Sequence, residues 1–277
     1  MADHVEDVKG RSGSYWDERA LAGSSHFAFP LWRRYCDQLH SRWLLSWLEG
    51  RTFAKVLKTD LFDEALGDGL ADVLLSLSLP GGECHGVDIS PVIVAQAQKR
   101  HPSLRVHCGD VRCLPLAADQ FDLILSDSTL DHFEHPADLQ AALAELHRVM
   151  APGGLLAITL DNPQHPLLAL RNRCTGPWMG RSAVLPYVVG HTLGLRQLSR
   201  ALRGLGFELL CGGHLMHAPR LLALHLSRLL PADGPMARGF LQALLGFECL
   251  ARLPTAPFSG HFVAVLARKS PAAAAIG

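Results

Sequence analysis

Residues 54–90 read AKVLKTDLFDEALGDGLADVLLSLSLPGGECHGVDIS, and this stretch decides the fold. A short, mainly apolar run, Ala54 to Leu57, leads into a polar, acidic turn, Lys58 to Asp68. Gly67 and Gly69 punctuate its end, and an apolar helical stretch runs from Leu70 to Leu79. After a Pro-Gly-Gly break, a second short strand, His85-Gly86-Val87, ends in Asp88. Strand, glycine-bearing loop, helix, strand and acidic tip form the order of a nucleotide-binding α/β unit. In such units glycines let the backbone approach a ligand, and the acidic tip accepts from ribose hydroxyls. The dinucleotide pattern G-x-G-x-x-G is absent, and only Gly67-Asp68-Gly69 remains. Asp60, Asp63, Glu64 and Asp68 crowd the same turn. Those carboxylates would repel a pyrophosphate, which needs backbone N–H groups and a helix N-terminus free of anions. They tolerate a ligand that carries a cation and no phosphate.

Working outward, 277 residues suffice for one large α/β domain with additions. Hydrophobic residues make up 48% of the chain, enough for a sizeable core. Lys plus Arg and Asp plus Glu each number 26, so no net charge argues for nucleic acid. Seven cysteines at irregular spacing argue against a disulfide framework and suit a reducing, cytoplasmic compartment. Residues 1–14 are charged, lack an apolar run and read as a disordered leader. No stretch has the length of apolar sequence that a membrane span needs.

Tyr15 to Leu48 is helical in pattern and rich in aromatics. Trp32, Tyr35 and Leu39 share one helical face, as do Trp43 and Trp47, which predicts a helical cap over residues up to 50. It either packs its aromatics on the core or serves as a lid, with Tyr15 and Trp16 near the ligand. Beyond Asp88, Ser90 suits an N-cap and Pro91 the first helical position of a helix to about Arg100. Leu104 to His107 is a third strand, and Phe121 to Asp127 a fourth whose centre is continuously apolar, as in buried parallel strands. Ala137 to Met150 is an amphipathic helix stopped by Ala151-Pro152-Gly153-Gly154, and Leu155 to Leu160 is a fifth strand. Strands alternating with helices at this spacing predict an open, doubly wound sheet.

HGVDIS at the second strand tip, GDVRCLPL after the third strand, FDLILSDSTLDHF for the fourth, and ELHRVMAPGGLLAITL for the following helix, turn and strand occur in order. Together, over residues 54–160, they resemble the class I S-adenosylmethionine-dependent methyltransferases, in particular the small-molecule branch that includes quinone-biosynthesis enzymes. LRQLSRALRGLGF from Leu195 and GHFVAVLARK from Gly260 resemble the family's helix before the sixth strand and its last strand. The resemblance implies a mostly parallel seven-stranded Rossmann-like sheet with an antiparallel final strand, over residues 51–270. It implies S-adenosylmethionine as cofactor and a small-molecule acceptor.

Carried over by position, Asp88 resembles the residue that holds the ribose hydroxyls, and Ile89 would lie against the adenine. Asp110 resembles the acceptor for the adenine amino group, with the Val111 N–H donating to the ring. Ser126 lies where the fourth strand meets the methionine part of the cofactor. The first motif departs from the family, which places an acidic residue directly after the strand and then closely spaced glycines. Here Lys58-Thr59-Asp60 and an apparent insertion precede Gly67 and Gly69. Asp60, Asp63 or Glu64 takes the acidic role, with Asp60 placed to meet the ammonium and the other two towards solvent or the next helix. Lys58 could pair with the cofactor's carboxylate. A non-catalytic binding protein on the same fold is the alternative reading.

Methyl transfer asks mainly for alignment, plus a base if the nucleophile is a hydroxyl. His132, after Asp131 and just beyond the fourth strand, is the candidate base, and His135 the alternative in that segment. Asp131 is grouped with it, although adjacent side chains diverge. Two insertions stand out. Residues 161–190 are rich in Pro and Gly, and chain position puts His165, Trp178, Tyr187 and His191 over the acceptor side. Residues 218–253 are apolar and basic, which fits helix packing, a homodimer face or peripheral contact with a membrane. Cys211, His214 and His217 alternate in direction on a sixth strand, so no metal site is expected there. An alanine-rich tail follows Ser270.

Overall fold

A computed structural model describes residues 13–18, 20–21, 29–173 and 190–271. The expectations for residues 1–12 of the leader, Phe27, Trp178, Tyr187 and the last six residues, 272–277, lie outside those residues, while residues 13 and 14 belong to a helical stretch, 13–18, and not to a disordered leader. Seven strands form one sheet in the order β3-β2-β1-β4-β5-β7-β6. They are β1 (Phe53–Thr59), β2 (Ser78–Asp88), β3 (Arg105–Cys108), β4 (Phe121–Asp127), β5 (Met150–Asp161), β6 (Phe207–Leu215) and β7 (Phe262–Lys269). The first five are parallel, and β7 runs antiparallel between β5 and β6. The order reverses between β1 and β4, so the chain's carboxyl-end crevice opens there.

Alternation along the strands divides the core in two. Leu123, Leu125, Leu155, Ala157 and Ala264 face one layer, while Ile124, Leu156, Ile158, Val263 and Val265 face the other. The first layer holds α1 (Pro30–Leu48), α3 (Ala71–Leu77), α4 (Pro91–Arg100), α8 (Arg220–Leu229) and α9 (Pro235–Gly246). The second holds α5 (Pro136–Val149) and α7 (Leu195–Gly204). Between these lie the short α2 (Phe62–Leu66) and α6 (Pro166–Arg173). Ser90 accepts from the Ile93 N–H at 3.1 Å ahead of Pro91, the start expected for α4. In α1, Trp32, Tyr35, Leu39 and Trp43 are all buried, so this helix is part of the core. Its buried His40 lies with Nδ1 2.6 Å from the half-buried Asp127 at the end of β4. Burial works against the charged imidazole, but Asp127 outweighs it and the His40 pKa is raised. No helix among the described residues is long and apolar enough to cross a membrane.

The two Pro-Gly-Gly stretches differ from the sequence reading. Each lies inside a strand, at the amino end of β2 and of β5, instead of before it. The pairing slips there, from Phe53–Ser78 to Lys55–Glu83 and from Phe121–Met150 to Leu123–Leu155, and then runs on in register. These are bulges, with Gly81 at φ +80° and Gly153 at φ +81° at their exposed tips.

Candidate active site

A cavity of about 580 Å³ opens at the carboxyl ends of β1, β2, β3 and β4. Its position follows from topology, because neighbouring loops part where the strand order reverses. Of the residues expected from sequence, Asp60, Asp88, Ile89, Asp110, Val111 and His132 line it. Lys58, Gly67, Gly69, Ser126 and Asp131 do not.

Asp88 closes β2 and is nearly buried. One carboxylate oxygen accepts from the Leu61 N–H and the other from the Ser90 N–H, both at 2.8 Å. Each oxygen thus keeps capacity for a further donor on the cavity side. Burial pushes its pKa up to about 6, against the pull of those two N–H groups. Asp60 faces it from the end of β1. Its backbone is left-handed, at φ +66°, and its Oδ1 accepts from the Phe62 N–H at 2.8 Å. That local bond offsets the strain of a non-glycine residue in this region. Burial, then the neighbouring Asp88, hold the Asp60 pKa well above the ordinary carboxylate range. Ile89 and Val111 supply apolar wall. Asp110 is held by Arg112, whose Nε and Nη2 reach its two oxygens at 3.0 and 2.7 Å. Arg112 also bonds Asp138 at 3.0 Å and lies over the Phe133 ring.

The β1 loop departs from expectation because a buried cation reorganises it. Lys58 is turned beneath the loop, where its Nζ meets Glu64 Oε2 at 2.9 Å and the Asp60 carbonyl. It is therefore not placed to meet a cofactor carboxylate. Burial works to lower the Lys58 pKa, but Glu64, Asp60 and Asp63 outweigh it and the ammonium is favoured. Glu64 is fully buried, not solvent-facing, and its Oε1 accepts from the Leu70 N–H at 2.9 Å, at the start of α3. Asp63 pairs with Arg33 of α1 at 2.7 Å. Gly69, at φ +54°, is required by this arrangement and not by the cavity. A Cβ there would sit 2.4 Å from Glu64 Oε1. Gly67 ends α2, with extended backbone.

Ser126 lies under the floor, fully buried, and accepts from Thr59 at 3.0 Å. Asp131 is also fully buried, and its Oδ2 accepts from the Asp161 N–H at 2.7 Å. It ties the turn after β4 to the end of β5, and its nearest approach to the His132 ring is 3.9 Å. His132 itself lines the cavity, with the Trp16 ring edge-on at 5.0 Å between centroids. Trp16 also meets Phe62, at 5.8 Å, so the helical stretch at 13–18 lies over the opening. His135 lines the cavity too, while His165 stands elsewhere, beside His261. Sequence reasoning missed Phe62, Arg112, Thr129, Phe133 and Asp138, all of which line the cavity. Only Arg112 had a readable signal, since an Asp-x-Arg turn brings carboxylate and guanidinium together.

A mostly parallel seven-stranded sheet with β7 inserted antiparallel, and a carboxylate-bearing cavity at its switch point, are the arrangement expected of the Rossmann-like methyltransferase fold. Residues 65–158 match the family described as "Methyltransferase domain". A demethylmenaquinone methyltransferase of Chlorobaculum parvum is 33% identical over 123 residues, 44% of this chain and 47% of the relative. A malonyl-[acyl-carrier protein] O-methyltransferase of Enterobacter lignolyticus is 31% identical over 150 residues, 52% of this chain and 54% of the relative. The matches thus span about half the length of these relatives. A solved structure of an S-adenosylmethionine-dependent methyltransferase from Archaeoglobus fulgidus shares the fold. It is 17% identical with a TM-score of 0.55, covering 86% of this chain and 94% of that one.

Proposed function

We propose that this protein transfers a methyl group from S-adenosylmethionine to a small, lipophilic metabolite in the cytoplasm. The observation that carries the reading is the meeting of Asp60 and Asp88 with the apolar walls Ile89 and Val111 in one cavity at the switch point. That donor set fits the cofactor. Asp88 would accept from the ribose hydroxyls with the lone pairs its two backbone bonds leave over. Ile89 and Val111 would enclose the adenine, Asp110 would accept from its amino group, and Asp60 would face the ammonium. S-adenosylmethionine supplies a methyl already activated on a sulfonium, so the protein's work is alignment and exclusion of water. Trp16, Phe62 and Phe133 would close the acceptor end. His132 would take a hydroxyl proton at a ring nitrogen. An apolar acceptor is supported by these aromatics and by the quinone-directed name of the Chlorobaculum relative. The cytoplasm is supported by the free cysteines among the described residues.

The rebuilt β1 loop favours a second reading, a protein that binds the cofactor without turnover. Calorimetry with S-adenosylmethionine, followed by an assay for released S-adenosylhomocysteine with quinol and carboxylic acid acceptors, tests both. Binding with release supports the enzyme. Binding without release from any acceptor moves the second reading ahead, and no binding removes both. For a hydroxyl acceptor, His132→Ala should lower kcat by roughly 10²–10⁴ with cofactor affinity kept.

A further inference from the structure

Helix α8 is packed inside out, whereas its neighbour α9 buries Leu241, Leu244 and Leu245 on the core. In α8 the buried positions are Ala223 and Ser227, at 1% and 5% exposure. Leu221, Leu222, Leu226 and Leu229 point the other way, with Leu222 54% and Leu229 69% exposed, while Leu224 packs against the core. Met236 on α9 is 62% exposed. A helix that docks on its own core normally does the reverse, burying its large apolar residues and showing its small and polar ones. Such an outer face suits a partner that takes aliphatic side chains.

Charge narrows the choice. The chain as a whole is balanced, with 26 basic and 26 acidic residues. Residues 218–253 carry Arg220, Arg228, Arg238 and Arg252 against Asp233 and Glu248. Neither acid offsets the face. Asp233 is paired with Arg34 of α1 at 3.0 Å. Glu248 is turned inward, accepting from the His217 N–H at 2.9 Å and the Met216 N–H at 3.2 Å. Arg238 and Arg252 are exposed, and the Arg228 guanidinium lies over the Phe29 ring at 4.3 Å. A second copy is a poor fit, since a two-fold interface sets the same basic patch against itself. A protein partner also fits poorly, because binding energy at such interfaces concentrates in Trp, Tyr and Arg, with leucine under-represented. Leucine and methionine beside arginine are the pattern of a helix lying in the interface of an anionic bilayer.

We propose that the outer face of α8–α9 docks on anionic lipid surfaces. β6 leads into α8 at the same carboxyl edge that holds the cavity, so docking would bring that edge towards the bilayer. The proposal goes beyond methyl transfer and is tested without cofactor, so it fails or stands independently. The full chain is sedimented with vesicles of phosphatidylcholine alone and of phosphatidylcholine with phosphatidylglycerol. Binding is expected only to the second, weakening as salt is raised. Leu222→Glu with Leu229→Glu should abolish it at an unchanged melting temperature, since both sites are exposed. Arg238→Gln should weaken it about fivefold, the equivalent of about 1 kcal/mol for one arginine at an anionic surface. Equal binding to both vesicles, binding to neither, or wild-type binding by the leucine variant overturns the proposal. So does a dimer in vesicle-free sedimentation equilibrium that the leucine variant dissociates, which would assign the face to a second copy.

Discussion

The tips of β2 and β3 and the loop after β1 wall the same cavity by opposite means. At the tips, Asp88 ends β2 and Asp110 lies just past β3, and both line the cavity, each held by neighbours a few residues away or just across the sheet. In the β1 loop most of the charge has turned away. Lys58 and Glu64 are buried together, Asp63 is tied to α1, and only Asp60 looks into the cavity. A carboxylate's place in such a loop is set by which cation claims it first. At the tips the claims are local: two backbone N–H groups hold Asp88, and Arg112, two residues on, holds Asp110.

The largest effect should come from breaking the loop's internal pair. Glu64→Ala leaves the Lys58 ammonium buried without its partner and should destabilise the fold by about 3–5 kcal/mol. Denaturant unfolding measures it, and pairing Glu64→Leu with Lys58→Met should recover most of the loss. A cost below about 1 kcal/mol, the range for exposed pairs, would erase the contrast between loop and tips.

Asp60 should behave unlike its loop neighbours. Asp60→Asn should weaken S-adenosylmethionine by on the order of 2–5 kcal/mol, the range for one partner of a desolvated charge pair. The empty protein should instead become more stable, because the repulsion with Asp88 is gone. Calorimetry and a melting curve report the two signs separately, and equal signs would mean that Asp60 serves the fold.

Asp88→Ala should weaken the cofactor by about 1.5–3 kcal/mol, as for hydrogen bonds to a charged group. Its titration sharpens the point. The folded Asp88 has its pKa raised to about 6, above its unfolded value, so between the two the unfolded chain binds fewer protons than the folded one. Stability of the empty protein should therefore fall as pH climbs through that window. Cofactor affinity should rise over the same window as the carboxylate ionises. A flat affinity profile would place the ribose elsewhere.

The smallest effect belongs to Asp63. It sits in a partly exposed pair with Arg33, and Asp63→Asn should cost at most about 1 kcal/mol of stability with no change in cofactor affinity. A marked loss of affinity would return the ammonium site to Asp63.

The alternation of strands and helices, the Ser90-Pro91 start of α4 and the carboxylate at the tip of β2 were legible because each rests on local signals: periodicity, capping and a strand end. The burial of Lys58 was not. Glu64 returns to it only because α2 intervenes, and nothing in Lys58-Thr59-Asp60 announces a helix two residues on. Ser126 and Asp131 were misplaced for a related reason. Their partners, Thr59 and the Asp161 N–H, lie on neighbouring strands and become visible only when the sheet is assembled. The Pro-Gly-Gly stretches read as ends of elements because proline and glycine break local patterns, whereas the sheet carries its pairing past them.

Those two bulges have a practical side. Pro80-Gly81 and Pro152-Gly153 are exposed at the amino edge, and the cavity lies at the opposite edge. Extra length is tolerated best where a chain already loops out with little to hold it. A short tag spliced at either tip would let the molecule be immobilised by its back. The tethered protein should then take up S-adenosylmethionine with the affinity it shows in solution.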